Sequence, residues 1–474
     1  MVKIPFRGEF YFDNEKYKQL EAKALAERAE QFDRLYLELG GKLIDDYHAA
    51  RVLPGYDTNV KLDILKELSH KKSIELLMVL NAEYIESNKP TGSLGVNYTT
   101  FALRMIEFLK KKRFKLNNIV ISFYNKQKKA KALSSLLKRE GYHIYYTYKI
   151  DNYPNSIETI LSNKGFGKKP FLKGVESDII AITAPGPNSG KMATALMLVY
   201  QNHKMGIDAG YTKLETFPVW NLSLNNPINI AYEAATADIG DYNAIDPFYK
   251  KAYGKKAVNY NRDINTFPLL KRIINRITNR ENFMRKYKSP TDMGINRVKD
   301  AIIDIERCNE AAKMEIIRRY FRYKAMFARG ELTNDISIRI IKLLKKMKAT
   351  IYDSKVVKES LKSKGSAMLL NNKLYISKHN KRFSGAASVV YKLRNNGKIK
   401  AAINELYKKK KEIKSETLKE KNIDVKEILT IMFGLSNLKP NQLVGGELHT
   451  VEPMSKEEER FLIELGINAT WGKL

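Results

Sequence analysis

The chain has 474 residues, of which 43% are hydrophobic, which indicates a globular protein of two or three domains and excludes a disordered chain. A single cysteine, Cys308, excludes an intrachain disulfide, and no Cys/His spacing typical of a metal site is present. The sequence contains no apolar run of the length of a signal peptide or a membrane span. We therefore expect a cytoplasmic protein with no membrane partner.

The formal net charge of +32 would attract polyanions such as RNA. Its basic residues are spread along the chain, however, and runs such as KKKR (110–113) and KKKKEIK (408–414) fall on predicted helical faces, where lysine is usually solvated. No recognised nucleic-acid-binding motif accompanies them. RNA therefore stays an alternative partner that we do not favour.

Strands and helices alternate along the first 200 or so residues, judged by apolar periodicity and end signals. The predicted helices cover 14–32, 62–71, 99–112 and 126–141, and the predicted strands cover 34–43, 74–85, 118–124, 143–150 and 178–184. This alternation predicts an α/β fold with an open, mainly parallel sheet of the Rossmann-like or P-loop-like kind.

The composition and periodicity of the sequence change after these alternating strands and helices. Residues 206–300 are rich in Pro, Asn, aromatic and acidic residues with weak periodicity, which predicts an irregular polar segment of functional importance. A long helix at 298–328 then closes a first domain of residues 1–330. We predict a second, smaller C-terminal α/β domain at 331–474, with a hairpin at 366–378 and helices at 384–398 and 425–437.

The stretch DIIAITAPGPNSGKMATALMLV (178–199) resembles a phosphate loop, with a strand before it and a helix after it. It departs from G-x-x-x-x-G-K-[S/T] in two ways: Pro185 stands where the first glycine belongs, and Met192 replaces the hydroxyl residue that usually binds Mg²⁺. Thr194 or Ser189 could substitute for that hydroxyl. The alternative interpretation is a Pro/Gly turn with an exposed lysine.

Ligands of parallel sheets bind beyond the carboxyl ends of the strands. The polar residues predicted at these ends are Gly40, Gly41, Lys42, Asn81, Asn125 and the loop 184–191. The candidate cofactor-binding residues are therefore Pro185, Gly186, Asn188, Ser189, Gly190, Lys191, Thr194, Gly40 and Gly41.

Acidic residues stand out in the middle segment of this basic protein, and carboxylates suit Mg²⁺. They are Glu215, Glu233, Asp238, Asp241 and Asp246, and a dense polar group of Asn259, Asn261, Arg262 and Asp263 follows them. We take Lys191, Arg262, Asp238 and Glu215 as candidate catalytic residues and Thr194, Glu215 and Asp238 as candidate metal ligands. The same acids could instead pair with neighbouring lysines and arginines.

Further candidates are weaker. Asp45, Asp46, His48 and Arg51 follow the Gly-Gly turn and would share helical faces, either as an acid/base group or as an ordinary helix start. Thr291 and Asp292 are expected to cap a helix. His449 and Ser384-Gly385 rank last.

Several long strings together resemble one family. They are residues 40–56, 182–196, 213–248, 257–270, 289–296 and 445–468. In these strings the chain resembles the UPF0371 family, the bacterial proteins with domain of unknown function 1846. The resemblance implies a nucleotide-type α/β domain followed by a second α/β domain, a cytoplasmic protein and a homo-oligomer, but it supplies no reaction.

Two hypotheses follow. In the first, the chain is a phosphate-loop enzyme that binds ATP or another nucleotide with Mg²⁺ and transfers a phosphoryl group to a small molecule. In the second, it is a non-catalytic basic scaffold that self-assembles or binds RNA and keeps a vestigial anion site.

Overall fold

The computed structural model describes residues 10–91, 96–151, 156–168, 172, 174–370, 373–377, 446–454, 459, 462 and 467–472. These residues form two compact units, the first of which is Tyr11–Asn309 and the second of which contains the described residues from Glu310 onward. The division lies inside a helix, earlier in the chain than the boundary predicted at residue 331. In the described part of the chain, no helix has the length and apolar content needed to cross a bilayer.

The strands of the described residues are, in chain order, β1 (Arg34–Leu39), β2 (Ile74–Asn81), β3 (Pro90–Thr91), β4 (Val96–Asn97), β5 (Leu116–Ser122), β6 (His143–Tyr146), β7 (Ile179–Thr183), β8 (Ala209–Leu214), β9 (Asn243–Ile245), β10 (Val258–Tyr260), β11 (Gly294–Ile295), β12 (Ser366–Leu370), β13 (Lys373–Ser377), β14 (Glu447–Thr450) and β15 (Asn468–Trp471).

The α-helices are α1 (Asn14–Ala29), α2 (Tyr47–Val52), α3 (Val60–Ser69), α4 (Ala82–Glu86), α5 (Tyr98–Lys111), α6 (Lys128–Arg139), α7 (Ile157–Leu161), α8 (Lys191–Lys204), α9 (Pro227–Ala235), α10 (Pro247–Tyr253), α11 (Asn261–Ile277), α12 (Ile305–Ala328), α13 (Asn334–Lys346) and α14 (Lys355–Ser363). Short 3₁₀ turns lie at Phe166–Lys168, Ala237–Ile239, Phe283–Lys286, Thr291–Met293, Lys299–Ala301 and Ile351–Asp353.

The first unit is built on a parallel sheet with the strand order β11-β8-β1-β7-β2-β5-β6. The central strands are almost entirely buried, which explains their continuous apolar sequences. This architecture confirms the predicted α/β fold with an open, mainly parallel sheet.

The sheet carries helices on both faces. The core on one face joins Tyr36, Val79 and Ile180 of the strands to Leu196 of α8 and Ile273 of α11. The chain runs from β1 to β2 through α3 in one direction, and from β7 to β8 through α8 in the other. Because such crossovers are right-handed, α3 and α8 lie on opposite faces of the sheet.

The second unit contains a smaller sheet with the order β13-β12-β14-β15, against which α14 packs. The pair β12 and β13 is antiparallel, which confirms the predicted hairpin at 366–378. The predicted helices at 384–398 and 425–437, and with them Ser384 and Gly385, lie outside the described residues.

The prediction that residues 206–300 are irregular was wrong. This segment supplies β8 and β11 to the central sheet, and it also contains α9, α10 and the 17-residue α11. The periodicity is weak because β8 buries a threonine and a lysine among its apolar residues, and because α11 accommodates Pro268 inside the helix.

Several predicted boundaries also shift. Strand β1 ends at Leu39, and β2 ends at Asn81, whose side chain accepts hydrogen bonds from Glu83 N and Tyr84 N and so starts α4. The long helix α12 begins at Ile305 after a 3₁₀ turn.

Candidate functional site

The candidate site lies between two neighbouring strands of the central sheet from which the chain continues in opposite directions across the sheet. β1 and β7 are hydrogen-bonded neighbours, and their outgoing connections lead to opposite faces. Such a switch point opens a crevice at the carboxyl ends of the strands. The segments that follow these two strands are 40–46 and 184–190, which are the glycine turn and the altered phosphate loop.

Loop 184–191 has the backbone shape of a turn that leads into a helix. Asn188 and Gly190 both have left-handed backbone angles, with φ of 54° and 85°. Gly190 is the N-cap of α8 and has no side chain that could accept a hydrogen bond from the first turn of this helix. The amides of that turn, from Lys191 onward, are therefore available to an anion.

Side chains at the ends of neighbouring strands donate hydrogen bonds to the backbone of the loop. The Ser122 hydroxyl, at the end of β5, donates to Ser189 O at 2.7 Å, and the Asn81 amide, at the end of β2, donates to Asn188 O at 3.1 Å. The Ser189 hydroxyl donates to Gly186 O at 2.8 Å and lies 3.0 Å from the buried Tyr98 hydroxyl. Ser189 is thus occupied inside the loop, so its hydroxyl does not replace the missing metal ligand.

Lys191, the first residue of α8, reaches back to the sheet. Its Nζ lies 3.7 Å from Oε1 of Glu38 on β1, and each side chain is 12% exposed. The Tyr211 hydroxyl donates to the other Glu38 oxygen at 2.6 Å. The interpretation of this loop as a turn with an exposed lysine therefore does not fit the structure.

A buried ionisable cluster adjoins this pair. Lys213 Nζ lies 2.6 Å from Oδ2 of Asp263 and 3.9 Å from Oε1 of Glu215. Although burial opposes its charge, the Asp263 carboxylate raises the pKa of Lys213 well above its usual value. Burial raises the pKa of Glu215 to about 7, against the opposing effect of Lys213. Glu215 therefore exchanges a proton near neutral pH.

The predicted glycine turn makes room for this cluster. A Cβ atom at Gly40 would overlap the Glu215 carboxylate, so a larger residue there would force this carboxylate or the turn to move. The buried Lys61 donates to Gly40 O at 2.8 Å and to Asp46 Oδ2 at 3.2 Å. Burial opposes the charge of Asp46, but the Lys61 ammonium keeps its pKa below the usual value.

Arg262, in the first turn of α11, joins the loop to the middle segment. Its Nη1 donates to Asn188 Oδ1 at 2.5 Å, and its Nη2 donates to Asp241 Oδ2 at 2.9 Å. The guanidinium therefore lies beside the loop, and 42% of the side chain is exposed. The structure thus brings Lys191, Arg262 and Glu215 into one connected region.

The other candidates from the sequence either lie away from this region or have a local structural role, such as capping a helix. Asp238 is exposed in the 3₁₀ turn Ala237–Ile239, and Thr194 is buried in α8. Asp246 caps α10 and accepts from Thr291 at 2.8 Å. No group of three or more His, Cys, Asp or Glu side chains suited to a metal ion exists among the described residues.

Two weaker candidates have structural explanations. Asp45 does not share a helical face with His48, because its φ of 55° places it before α2, which Asp46 caps. His449 packs its ring on Phe321, and burial lowers its pKa to about 4. Such a histidine is neutral at physiological pH and fills the core of the second unit.

Sequence reasoning missed Glu38, Lys61, Lys213 and the tyrosines around them. Glu38 and Lys213 lie within apolar strands, and a charged residue inside a buried strand was the available signal. Their pairing across β1 and β8 depends on the register of the sheet, which the sequence alone does not show.

Comparisons with known proteins agree on one family. The profile described as "Domain of unknown function DUF1846, N-terminal" matches residues 10–348. A UPF0371 protein of Clostridium botulinum (strain Eklund 17B / Type B) is 38% identical over 97% of this chain and 96% of its own length. Another, from strain ATCC 19397 / Type A, is 45% identical over 73% of this chain and 68% of its own length. The chain belongs to the UPF0371 family.

Proposed function

We propose that this protein binds a nucleotide or a related phosphorylated small molecule at the switch-point crevice and carries out acid–base chemistry on it. The observation that carries the proposal is that loop 184–191 adjoins the ionisable cluster. Lys191 of the loop pairs with Glu38, and Asn188 accepts from Arg262, whose chain neighbour Asp263 pairs with Lys213. A turn of this shape alone would be weak evidence.

Phosphate recognition is supported by groups that are already in place. The first turn of α8 lacks a side-chain cap, and its amides and partial positive charge favour an anion. Lys191 and Arg262 are each held by a carboxylate, Glu38 and Asp241 respectively. A phosphate dianion would compete with these carboxylates for Lys191 and Arg262. Its binding would not require the desolvation of further cationic side chains.

Glu215 is the residue that we assign to proton transfer. Its side chain is 13% exposed and lies beside Lys213, and burial raises its pKa to about 7, so both of its protonation states are populated at neutral pH. A carboxyl group with these properties can take a proton from a bound molecule and return it.

Magnesium is not part of this proposal. The described residues contain no group of three or more His, Cys, Asp or Glu side chains suited to a metal ion, Ser189 is occupied within the loop, and Thr194 is buried. The residues present thus do not fit the metal site of an ordinary phosphate loop, and we derive no step through Mg²⁺.

The alternative is a non-catalytic scaffold with a vestigial anion site, which would self-assemble or bind RNA. The contact between Lys191 and Glu38 favours it, because a lysine that neutralises a carboxylate with only 12% of its side chain exposed serves the fold. The two functions differ in what Lys191 does.

Substitution of Lys191 by alanine separates the two functions. We expect the affinity for inorganic phosphate and nucleotides to fall about ten- to a hundredfold, since a charge-assisted hydrogen bond contributes roughly 1.5–3 kcal/mol. Calorimetric titration of the wild-type and variant chains measures this change. The matched control is Lys204→Ala, at the other end of α8.

The control variant should bind like the wild type. If Lys191→Ala and Lys204→Ala bind every phosphate compound alike, and only the thermal midpoint of Lys191→Ala falls, the loop is structural and the scaffold replaces the enzyme.

A further inference from the structure

A second concave site lies in the first unit, next to β11, which is an edge strand of the central sheet. Its volume is about 520 Å³, within the range of roughly 300–1,000 Å³ that small-molecule sites occupy. None of the residues that we assign to the switch-point crevice lines it.

Aromatic residues form part of its wall. The side chains of Trp220, Tyr249 and Phe283 line the cavity. A Cβ atom at Gly294 would lie 2.9 Å from the indole of Trp220, so the glycine allows the ring to lie directly on the edge strand. Trp220 is thereby fixed against the backbone, which is what a surface that stacks a planar ring requires.

The charge of the cavity is strongly one-sided. Four cationic side chains line it, namely Arg28, Lys255, Lys256 and Arg297, against one acidic side chain, Glu27. Neither Lys255 nor Lys256 forms an ion pair with any residue that the structure describes. Both are exposed at this site, so an anion would meet cations that carboxylates do not already neutralise.

Arg28 is held in a fixed position at this site. Its Nη1 donates to the Tyr287 hydroxyl at 2.9 Å, to Asp292 O at 3.1 Å and to Thr212 Oγ1 at 3.2 Å. Its guanidinium also lies over the Phe283 ring, 5.3 Å from the centroid. An arginine fixed in this way recognises an anionic group at little entropic cost.

We propose that this cavity binds a small molecule that carries both a planar aromatic ring and an anionic group, of the size and chemistry of a nucleoside monophosphate. The ring would stack on the aromatic wall, and the phosphate would lie among the cationic side chains. This site is separate from the proposed phosphate loop and does not depend on it.

The fluorescence of Trp220 tests the proposal. The chain has two tryptophans, so Trp471→Phe leaves Trp220 as the only reporter. We expect saturable quenching by AMP, excited at wavelengths beyond the absorption of the base, and at least tenfold weaker binding of adenosine alone and of inorganic phosphate alone. Equilibrium dialysis of labelled AMP with the Lys191→Ala chain, in which the proposed phosphate loop is weakened, should give the same Kd.

Paired lysine variants give the matched control. Lys255→Gln with Lys256→Gln should weaken AMP binding about three- to tenfold, since two exposed cations each contribute modestly. Lys250→Gln with Lys251→Gln removes the same charge from exposed positions on α10 that do not line the cavity, and should change nothing. Lys191→Ala should leave the quenching unchanged, even if the phosphate loop proves structural.

Three outcomes would overturn the proposal. One is the absence of saturable quenching by AMP, and another is an equal loss of affinity in both lysine pairs. The third is binding of an RNA oligonucleotide far more tightly than AMP, with steep salt dependence, which would make this surface part of a nucleic-acid site.

Discussion

At the scale of single residues, this protein keeps carboxyl groups in places where they resist ionisation. Burial raises the pKa of Glu21 to about 8, while Arg297 N donates to its Oε1 at 2.7 Å. The pKa of Glu215 is raised for the same reason. Each of these groups binds its proton more tightly in the folded chain than in the unfolded chain, so each contributes stability at low pH.

Glu21→Gln should therefore stabilise the protein in a pH-dependent way. The stability contributed by the protonated Glu21 is present below the unfolded-state pKa of 4.5 and is lost as the pH rises to the folded-state pKa of about 8. At about pH 9 the glutamine variant should be more stable by roughly 2–5 kcal/mol, and near pH 4 it should match the wild type. Urea denaturation at both pH values measures this difference.

The matched control for this prediction is Glu27→Gln, an exposed residue on the same helix α1. It should change the free energy of unfolding by little at either pH. A stability difference between Glu21→Gln and the wild type that does not vary with pH would contradict the prediction.

At the scale of elements, the turn after β1 and the end of β8 form one packed unit. The Glu215 carboxylate occupies the space that a side chain at Gly40 would need. Gly40→Ala should destabilise the protein by about 1–3 kcal/mol, because the added methyl forces the carboxylate or the turn to move. In a chain that already carries Glu215→Ala, the same substitution should cost at least 1 kcal/mol less.

A double-mutant cycle of unfolding free energies measures this coupling. Additive effects of Gly40→Ala and Glu215→Ala would contradict the overlap between a side chain at position 40 and the Glu215 carboxylate. The control is Glu27→Ala, at an exposed position on α1, which should not couple to Glu215→Ala.

The sheet could be predicted from the sequence largely because its strands are buried on both faces. Runs such as those of β2 and β7 are apolar throughout, and helix signals separate them. Burial alone did not reveal β8, because Lys213 interrupts its apolar pattern and is stabilised there by its ion pair with Asp263, fifty residues later. Pairings at such a distance come from tertiary structure and have no local signature.

The residues of the candidate site likewise divide into those with a local sequence signal and those without one. Gly190 and Lys191 could be found, since a helix start after a strand is a local pattern. The role of Gly40 could be located but not explained, because its reason is the side chain of Glu215. Glu38 was missed because its partners, Lys191 and Tyr211, are supplied by α8 and β8.

At the scale of the whole molecule, the net charge of +32 is distributed over many elements. Several exposed cations on the described residues already face acids on the same helix or nearby, as Lys111 does with Glu107 and Lys149 with Glu83. The cationic side chains of the edge cavity form a local cluster suited to a small anion. A dispersed field attracts polyanions without aligning them.

RNA binding should therefore be weak and without sequence preference. At about 0.15 M salt we expect a Kd no tighter than about 1 μM for any RNA of moderate length, which is typical of non-specific electrostatic binding. Unrelated RNA sequences of equal length, and single-stranded DNA, should compete equally in fluorescence anisotropy. Substituting exposed lysines in pairs on α5 and α6 should weaken binding by similar small factors, since each pair contributes only part of a diffuse field. Nanomolar binding of one RNA over the others, abolished by one of these pairs alone, would contradict the prediction and would support the scaffold with RNA as its partner.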